Sequence, residues 1–320
     1  MSKAKYVVAT DLSPPSRTAL AAAVALARRT GATVDLFCAV PATIVDEERK
    51  LLTRVRDGLE KLQARTRDQG VETQCEVVVT RDVPQSVASH ALAVDAALVA
   101  VGPSGVTGWK KFVLGSVTDR LLRLGPSMLL VARGKVAGPP TNILVALDMT
   151  SGSTRALRAA IALAKACSAR LTALHVVAPP GAALMAAGDV YLPETWTLEA
   201  ERVAEAQRAF VEWIEKFPKD GVDVVARVVQ GAAAETVVDE AKAGGADLVV
   251  VGSQGKSAVQ EFFVGSVARN VATHAQASVL VVRSKTVRSK TVRSKTVRSK
   301  LPRRGPAERA GGSGSKARRG

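Results

Sequence analysis

Aromatic residues make up only 3% of this 320-residue chain, so any interior must be built from Ala, Val and Leu. Cysteine is scarcer still. Cys38, Cys75 and Cys167 are scattered, with no CxxC pair and no histidine at ligand spacing, which excludes a disulfide framework and a zinc site. The three histidines are as dispersed: His90 in a helical stretch, His175 in an apolar strand, His274 near a helix end. Each reads as a packed or surface side chain rather than a catalytic base. No apolar run approaches the ~18 residues that a membrane crossing needs. MSKAKYVVATDLS runs into a strand-like segment with no secretory h-region, so a cytoplasmic protein is expected.

Acidic residues are also in short supply, 29 against 45 Lys and Arg, for a net charge of +16. The deficit is local. From Arg283 to the end there are 14 Lys and Arg against one acid, Glu308, which leaves +3 for the 282 residues before it. That tail reads RSKTVRSKTVRSKTVRSK and then LPRRGPAERAGGSGSKARRG, a five-residue repeat matching neither a helix face nor a strand face. Residues 284–320 are therefore expected to be disordered. Two readings stay open: a solvated extension, or a polycation contacting nucleic acid or anionic membrane surfaces nonspecifically. The tail holds no aromatic residue, so base stacking is unavailable to it.

What is present in abundance is repetition. KYVVATDLSPPSRTAL (Lys5 to Leu20) parallels NILVALDMTSGSTRAL (Asn142 to Leu157), matching Asp11 to Asp148 at an offset of 137. Further on, VGPSGVTGWKKFVLGS (Val101 to Ser116) parallels VGSQGKSAVQEFFVGS (Val251 to Ser266) at an offset of 150. The 13 additional residues are assigned to PPGAALMAAGDVYLPE, Pro179 to Glu194. In each copy Val-rich runs alternate with segments of helical period. The first copy predicts strands near 5–10, 33–40, 73–79, 97–101 and 127–132, and helices near 15–29, 46–68, 83–94 and 116–124. Runs that are apolar throughout, such as ALVAV and DLVVV, suit a parallel sheet buried on both faces. The fold class is thus α/β: two tandem doubly wound five-stranded parallel-sheet domains, residues 1–137 and 138–283, followed by the tail 284–320.

Ligands of such sheets bind at the carboxyl ends of the strands. Asp11 and Asp148 end the first strand of each copy. The fourth strands run into Gly102-x2-Gly105-x9-Gly115-Ser116 and Gly252-x2-Gly255-x9-Gly265-Ser266. The first two glycines permit backbone angles and close approach that a Cβ would block. The third opens a helix whose free amides favour an anion, and Ser116 and Ser266 either cap that helix or offer a hydroxyl to phosphate. Structural readings stand beside these: a strand-end or capping role for the aspartates, and a tight turn for the glycines. A Walker A loop at Gly255-Lys256-Ser257 is excluded, because Val250 occupies the position where that motif requires glycine.

VVATDLS, ADLVVVGSQG and the doubled glycine pattern resemble the universal stress proteins, over residues 3–133 and 141–283. The resemblance implies strand order 3-2-1-4-5 in an adenine-nucleotide alpha-hydrolase-like fold, and the ATP-binding branch of the family. It also implies that the fifth strands of the two domains pair within one chain, with a homodimer left open. By the same resemblance Asp11 and Asp148 lie near the ribose or the phosphate–Mg²⁺ end, and the backbone at Val40 and Val177 meets adenine. Gly102, Gly105, Gly115 and Ser116, with Gly252, Gly255, Gly265 and Ser266, surround ribose and phosphates. Pro103 and Val106 depart from the pattern in the first copy, Lys110 and Lys111 restoring charge. The second keeps Lys256 but has Gln260 and Glu261 where the first has those lysines. With no recognisable general base, arginine finger or metal-ligand cluster, the expectation is a regulatory ATP-binding protein with at most slow hydrolysis, not an enzyme. A nucleotide-using transferase, and a scaffold acting through its basic tail, are the alternatives.

Overall fold

The computed structural model describes residues 3–43, 49–104, 114–124, 126–134, 136–179, 195–253, 264–283 and 297–299. The first half runs β1 (Lys5–Ala9), α1 (Pro14–Thr30), β2 (Thr33–Pro41), α2 (Arg49–Asp68), β3 (Thr73–Thr80), α3 (Val83–Ala93), β4 (Leu98–Val101), α4 (Ser116–Leu124), β5 (Met128–Val131). The second repeats it: β6 (Asn142–Ala146), α5 (Ser151–Cys167), β7 (Arg170–Val177), α6 (Thr195–Glu215), β8 (Val224–Gln230), α7 (Ala233–Ala243), β9 (Leu248–Gly252), α8 (Ser266–His274), β10 (Ser278–Val282). A short β11 (Val297–Ser299) follows.

The local chemistry explains why these spans begin and end where they do. Ser13 caps α1, its hydroxyl accepting the Ser16 amide, and Pro14 fills the first turn, where no amide partner is needed. The helix stops at Gly31, whose φ of 70° few other residues tolerate and whose amide bonds the Ala27 carbonyl at 2.9 Å. In β1, Tyr6 and Val8 enter one apolar layer and Val7 the other, so both faces of the sheet are covered by helices. This is why the strands are apolar throughout.

Within each half the strands are parallel, in the spatial orders β3-β2-β1-β4-β5 and β10-β9-β6-β7-β8. The halves meet through β5 and β10, which pair antiparallel from Val279↔Val131 to Val282↔Met128. One continuous sheet results. The tail expectation falls largely on residues outside the described ones. Val297–Ser299 add to it a three-residue strand, antiparallel to β3 with Val297 opposite Val79. The edge of β3 offers the unpaired backbone groups such a strand requires. The 13-residue insertion also lies almost wholly outside the described residues. Among the described residues no helix is long and apolar enough to cross a membrane.

At the junction Leu130 and Leu280 face each other in register and are essentially inaccessible to solvent. Leu280→Ala should lower the unfolding free energy by about 3 kcal/mol. Urea denaturation followed by circular dichroism measures this, and the loss should appear in one shared transition rather than in the second half alone.

Candidate functional site

Between β1 and α1 the backbone turns through a left-handed residue, Leu12, with φ 65°. Asp11 sets that turn: its Oδ1 accepts the Ser13 amide at 3.0 Å and the Ser13 hydroxyl, while the carboxylate stays exposed. The second copy repeats the device, with Met149 at φ 60°. Asp148 Oδ1 accepts the Thr150 amide at 3.1 Å, the Thr150 hydroxyl at 2.6 Å and the Ser153 hydroxyl. A non-glycine residue held in this region costs about 1–3 kcal/mol, a cost natural proteins tend to concentrate at functional sites. Both aspartates therefore do structural work while standing at the strand ends.

Of the two needs expected of the glycines, backbone angle and close approach, the structure shows the second at Gly102. Gly102, Gly115, Gly252 and Gly265 are absent from the positive-φ glycines among the described residues, so backbone angle is not what selects them. Close approach does at Gly102, where a Cβ would meet the Pro15 Cβ at 2.8 Å and its backbone carbon at 2.9 Å. Gly105 and Gly255 lie outside the described residues, as do Val106, Lys110, Lys111, Lys256, Gln260 and Glu261. Gly115 donates its amide to the Pro103 carbonyl and Gly265 to the Ser253 carbonyl, each at 2.7 Å. That leaves neither glycine amide for a ligand. The first bonds inside the helices are Asp119 N to Gly115 O at 2.9 Å and Arg269 N to Gly265 O at 3.1 Å. The amides of Ser116 to Thr118 and of Ser266 to Ala268 thus precede the helical ladder, where an anion is favoured. Gly265 is the cap of α8, and Ser266 is its first exposed helical residue, as Ser116 is of α4.

In the first copy these parts converge. A cavity of 170 Å³ is lined by Asp11, Gly102, Gly115 and Ser116, with Phe37 and Ala39 on the β2 side. This is smaller than the ~300–1,000 Å³ of a whole-ligand pocket and suits one end of a ligand. Val40 is buried and does not line it. Backbone groups alternate sides along a strand. Phe37 O accepts the Thr10 amide on the β1 side at 3.0 Å, so Ala39 faces that side too and Val40 faces β3. Past the end of β1, the groups open to a ligand are those of Ala39. In the second copy the Val177 carbonyl accepts the Gly231 amide at 3.0 Å, which turns Val176 toward the equivalent cleft. In each copy the strand-two backbone on the cleft side belongs to the residue before the one that the resemblance implies.

A polar cluster behind the cavity wall was missed. His90 Nε2 lies 2.9 Å from Asp35 Oδ2, its Nδ1 lies 3.6 Å from Glu76 Oε2, and its ring stacks on Phe37 at 4.1 Å. The signal in the sequence was two acids, Asp35 and Glu76, each flanked on both sides by apolar residues within its strand. The cluster braces the Phe37 wall rather than entering the cavity. Among the described residues no group of three or more His, Cys, Asp or Glu is placed to hold a metal.

A family model describing the universal stress proteins matches residues 4–133 and again residues 140–283. The chain belongs to the universal stress protein family. Universal stress protein YxiE of Bacillus subtilis is 35% identical over 144 residues, covering 44% of this chain and 97% of that protein. Universal stress protein Rv2623 of Mycobacterium tuberculosis is 31% identical over 193 residues, 59% of this chain and 62% of its own length. Among solved structures, a universal stress protein from Archaeoglobus fulgidus superposes with TM-score 0.66, covering 89% of this chain and 100% of that one. A putative universal stress protein from Pseudomonas aeruginosa gives 0.62, over 88% and 94%. At 16% and 19% identity these two support the fold alone.

Burial, reinforced by the charge of Asp11, pushes the Cys38 thiol up to about 12. Cys38 should therefore resist iodoacetamide in the native protein at pH 8, and react at an ordinary thiol rate once urea exposes it. Peptide mass spectrometry of the two samples reads the difference.

Proposed function

We propose that each half binds ATP at the carboxyl ends of its strands, with the nucleotide acting as a regulatory ligand in the cytoplasm. The observation that carries this reading is the convergence of Asp11, Gly102, Gly115 and Ser116 on one cavity at the start of α4. The α4 amides supply the phosphate end. A helix dipole alone contributes only about 0.3–1 kcal/mol toward an anion, so several amides acting together are required. The open backbone of Ala39 supplies donors and acceptors for a planar base, and Asp11 a carboxylate for the ribose. In the second half the corresponding groups are the amides from Ser266, the backbone of Val176, and Asp148.

Mg²⁺ usually binds through one or two carboxylates together with substrate phosphates, and the donor set here fits that pattern, with Asp11 or Asp148 the carboxylate for a metal carried in on the triphosphate. The metal would offset phosphate charge. In this reading the nucleotide is a ligand rather than a substrate, and hydrolysis is at most slow. Ligand binding then acts by stabilising the state that binds it.

The test is the nucleotide content of the purified protein and its binding of added ATP. Gly115→Asp and Gly265→Asp each place a carboxylate where the phosphates would meet a helix start, and each should remove one equivalent of nucleotide. The double variant should retain none. Unchanged content in the double variant, measured by mass spectrometry on folded protein, would reject both sites.

A further inference from the structure

The two halves exchange arginines across their junction. Arg133 follows β5 of the first half and donates from Nη2 to the carbonyls of Ala272 and Thr273, at 2.7 and 3.1 Å, in the last turn of α8. Arg283 follows β10 and donates from Nη2 to the carbonyls of Leu122 and Arg123, at 2.8 and 2.9 Å, in the last turn of α4. Donors and acceptors are all related by the 150-residue offset that relates the glycine loops. Each arginine is anchored through its own backbone on the opposite half: Arg133 N to Ser278 Oγ at 3.1 Å, Arg283 N to Ser127 O at 3.0 Å.

The last carbonyls of a helix lack partners inside it, and a cation there meets the negative end of the dipole. Arg283 is 6% exposed, so the carbonyls it covers would otherwise be withdrawn from water unpaired. A third contact joins the same helices directly, Arg269 Nε to Asp119 Oδ1 at 2.9 Å. Helix α4 belongs to the first half, yet its last turn and its Asp119 carboxylate are both held by the second. Helix α8 is held by the first in the same two ways. These are the two helices whose opposite ends would face phosphate.

We propose that the two sites are thermodynamically coupled, each arginine positioning the phosphate-facing helix of the other half. The inference rests on the nucleotide reading above. Neither arginine is among the residues that line the first-half cavity. A nucleotide that fixes α4 fixes Asp119, Arg269 and the Arg283 cap with it, and the second half then has less ordering left to bring about. The coupling is therefore positive.

Isothermal titration with ATP tests this on the full chain. Wild type should bind cooperatively, and Arg133→Gln and Arg283→Gln should each lower the Hill coefficient toward one. In a Gly265→Asp background, where only the first site remains, Arg283→Gln should weaken ATP by about fivefold or more. Arg283→Lys should recover most of that loss, because a cation still meets the last-turn carbonyls. Hydrogen exchange without nucleotide supplies an independent arm: Arg283→Gln should speed exchange in α4, and Arg133→Gln in α8. If the Gln variants fail to fold, Arg269→Gln, which cuts the exposed contact between α4 and α8, carries the comparison and should lower the Hill coefficient. Independent sites in wild type, with affinities unmoved by either arginine variant, would overturn the coupling while leaving nucleotide binding intact. No ATP binding by wild type would overturn both, and unchanged exchange in α4 and α8 would overturn the arginine positioning alone.

Discussion

The antiparallel pairing of β5 with β10 is the constraint from which the rest of the architecture follows. Each strand would otherwise be an edge, apolar on both faces and four or five residues long, open to pairing with any other chain. Joined, they convert two parallel sheets into one and leave no hinge between the halves. Because the junction is antiparallel, the carboxyl ends of the two sets of strands point to opposite ends of the sheet. The clefts therefore open away from each other. Whatever passes between them travels through the elements packed over the junction, and on one face those elements are α4 and α8.

Much of this was legible because the signals were repeated. An apolar run such as LVVV is ambiguous alone, but its recurrence at a fixed offset beside a glycine loop fixed it as a strand. The spans expected in the first half agree with β1 to β5 to within about two residues, as they should where breaker residues such as Gly31 and Pro14 mark the ends. The family was legible from the motifs that the duplication repeats, and the strand order only as what the resemblance to that family implies. The finer geometry was not. Whether the backbone of Val40 or Ala39 opens toward a ligand depends on where β1 stops, and a strand's end is a tertiary fact. Close approach at Gly102 was legible, but not its partner: the residue a Cβ would meet is Pro15, 87 positions earlier in the chain. His90 looked like an ordinary packed histidine. Only the register Phe37↔Glu76 reveals that β3 brings a second carboxylate to the ring that Asp35 already holds.

The structural role of the two aspartates does not compete with a ligand role. Asp11 and Asp148 each spend Oδ1 on the turn that follows them. That turn holds Leu12 and Met149 in a conformation their side chains disfavour. Spending one oxygen on the turn fixes the other in space. A carboxylate so oriented pays less to order itself on meeting a ribose or a metal than a free side chain would. A carboxylate that forms the turn and organises the helix is in this way compatible with the ligand role proposed for it.

Duplication also supplies a means of choosing partners. Asp119 and Arg269 occupy equivalent positions, offset by 150, and they meet at the junction as opposite charges. If two first halves paired with each other in this geometry, Asp119 would meet Asp119. Two second halves would bring Arg269 against Arg269. Each homotypic pairing loses an attraction and gains a repulsion, so divergence at one pair of sites favours first half on second half over either alternative. Exposed charges contribute little to stability, and Arg269 is itself 60% exposed. Their effect on selection is larger, because it is the difference between an attraction and a repulsion. The arginine caps impose no such choice, since both halves carry the same residue there. The junction thus separates two tasks: a symmetric pair of arginines ties each helix to the opposite half, and an asymmetric pair of charges decides which halves are tied.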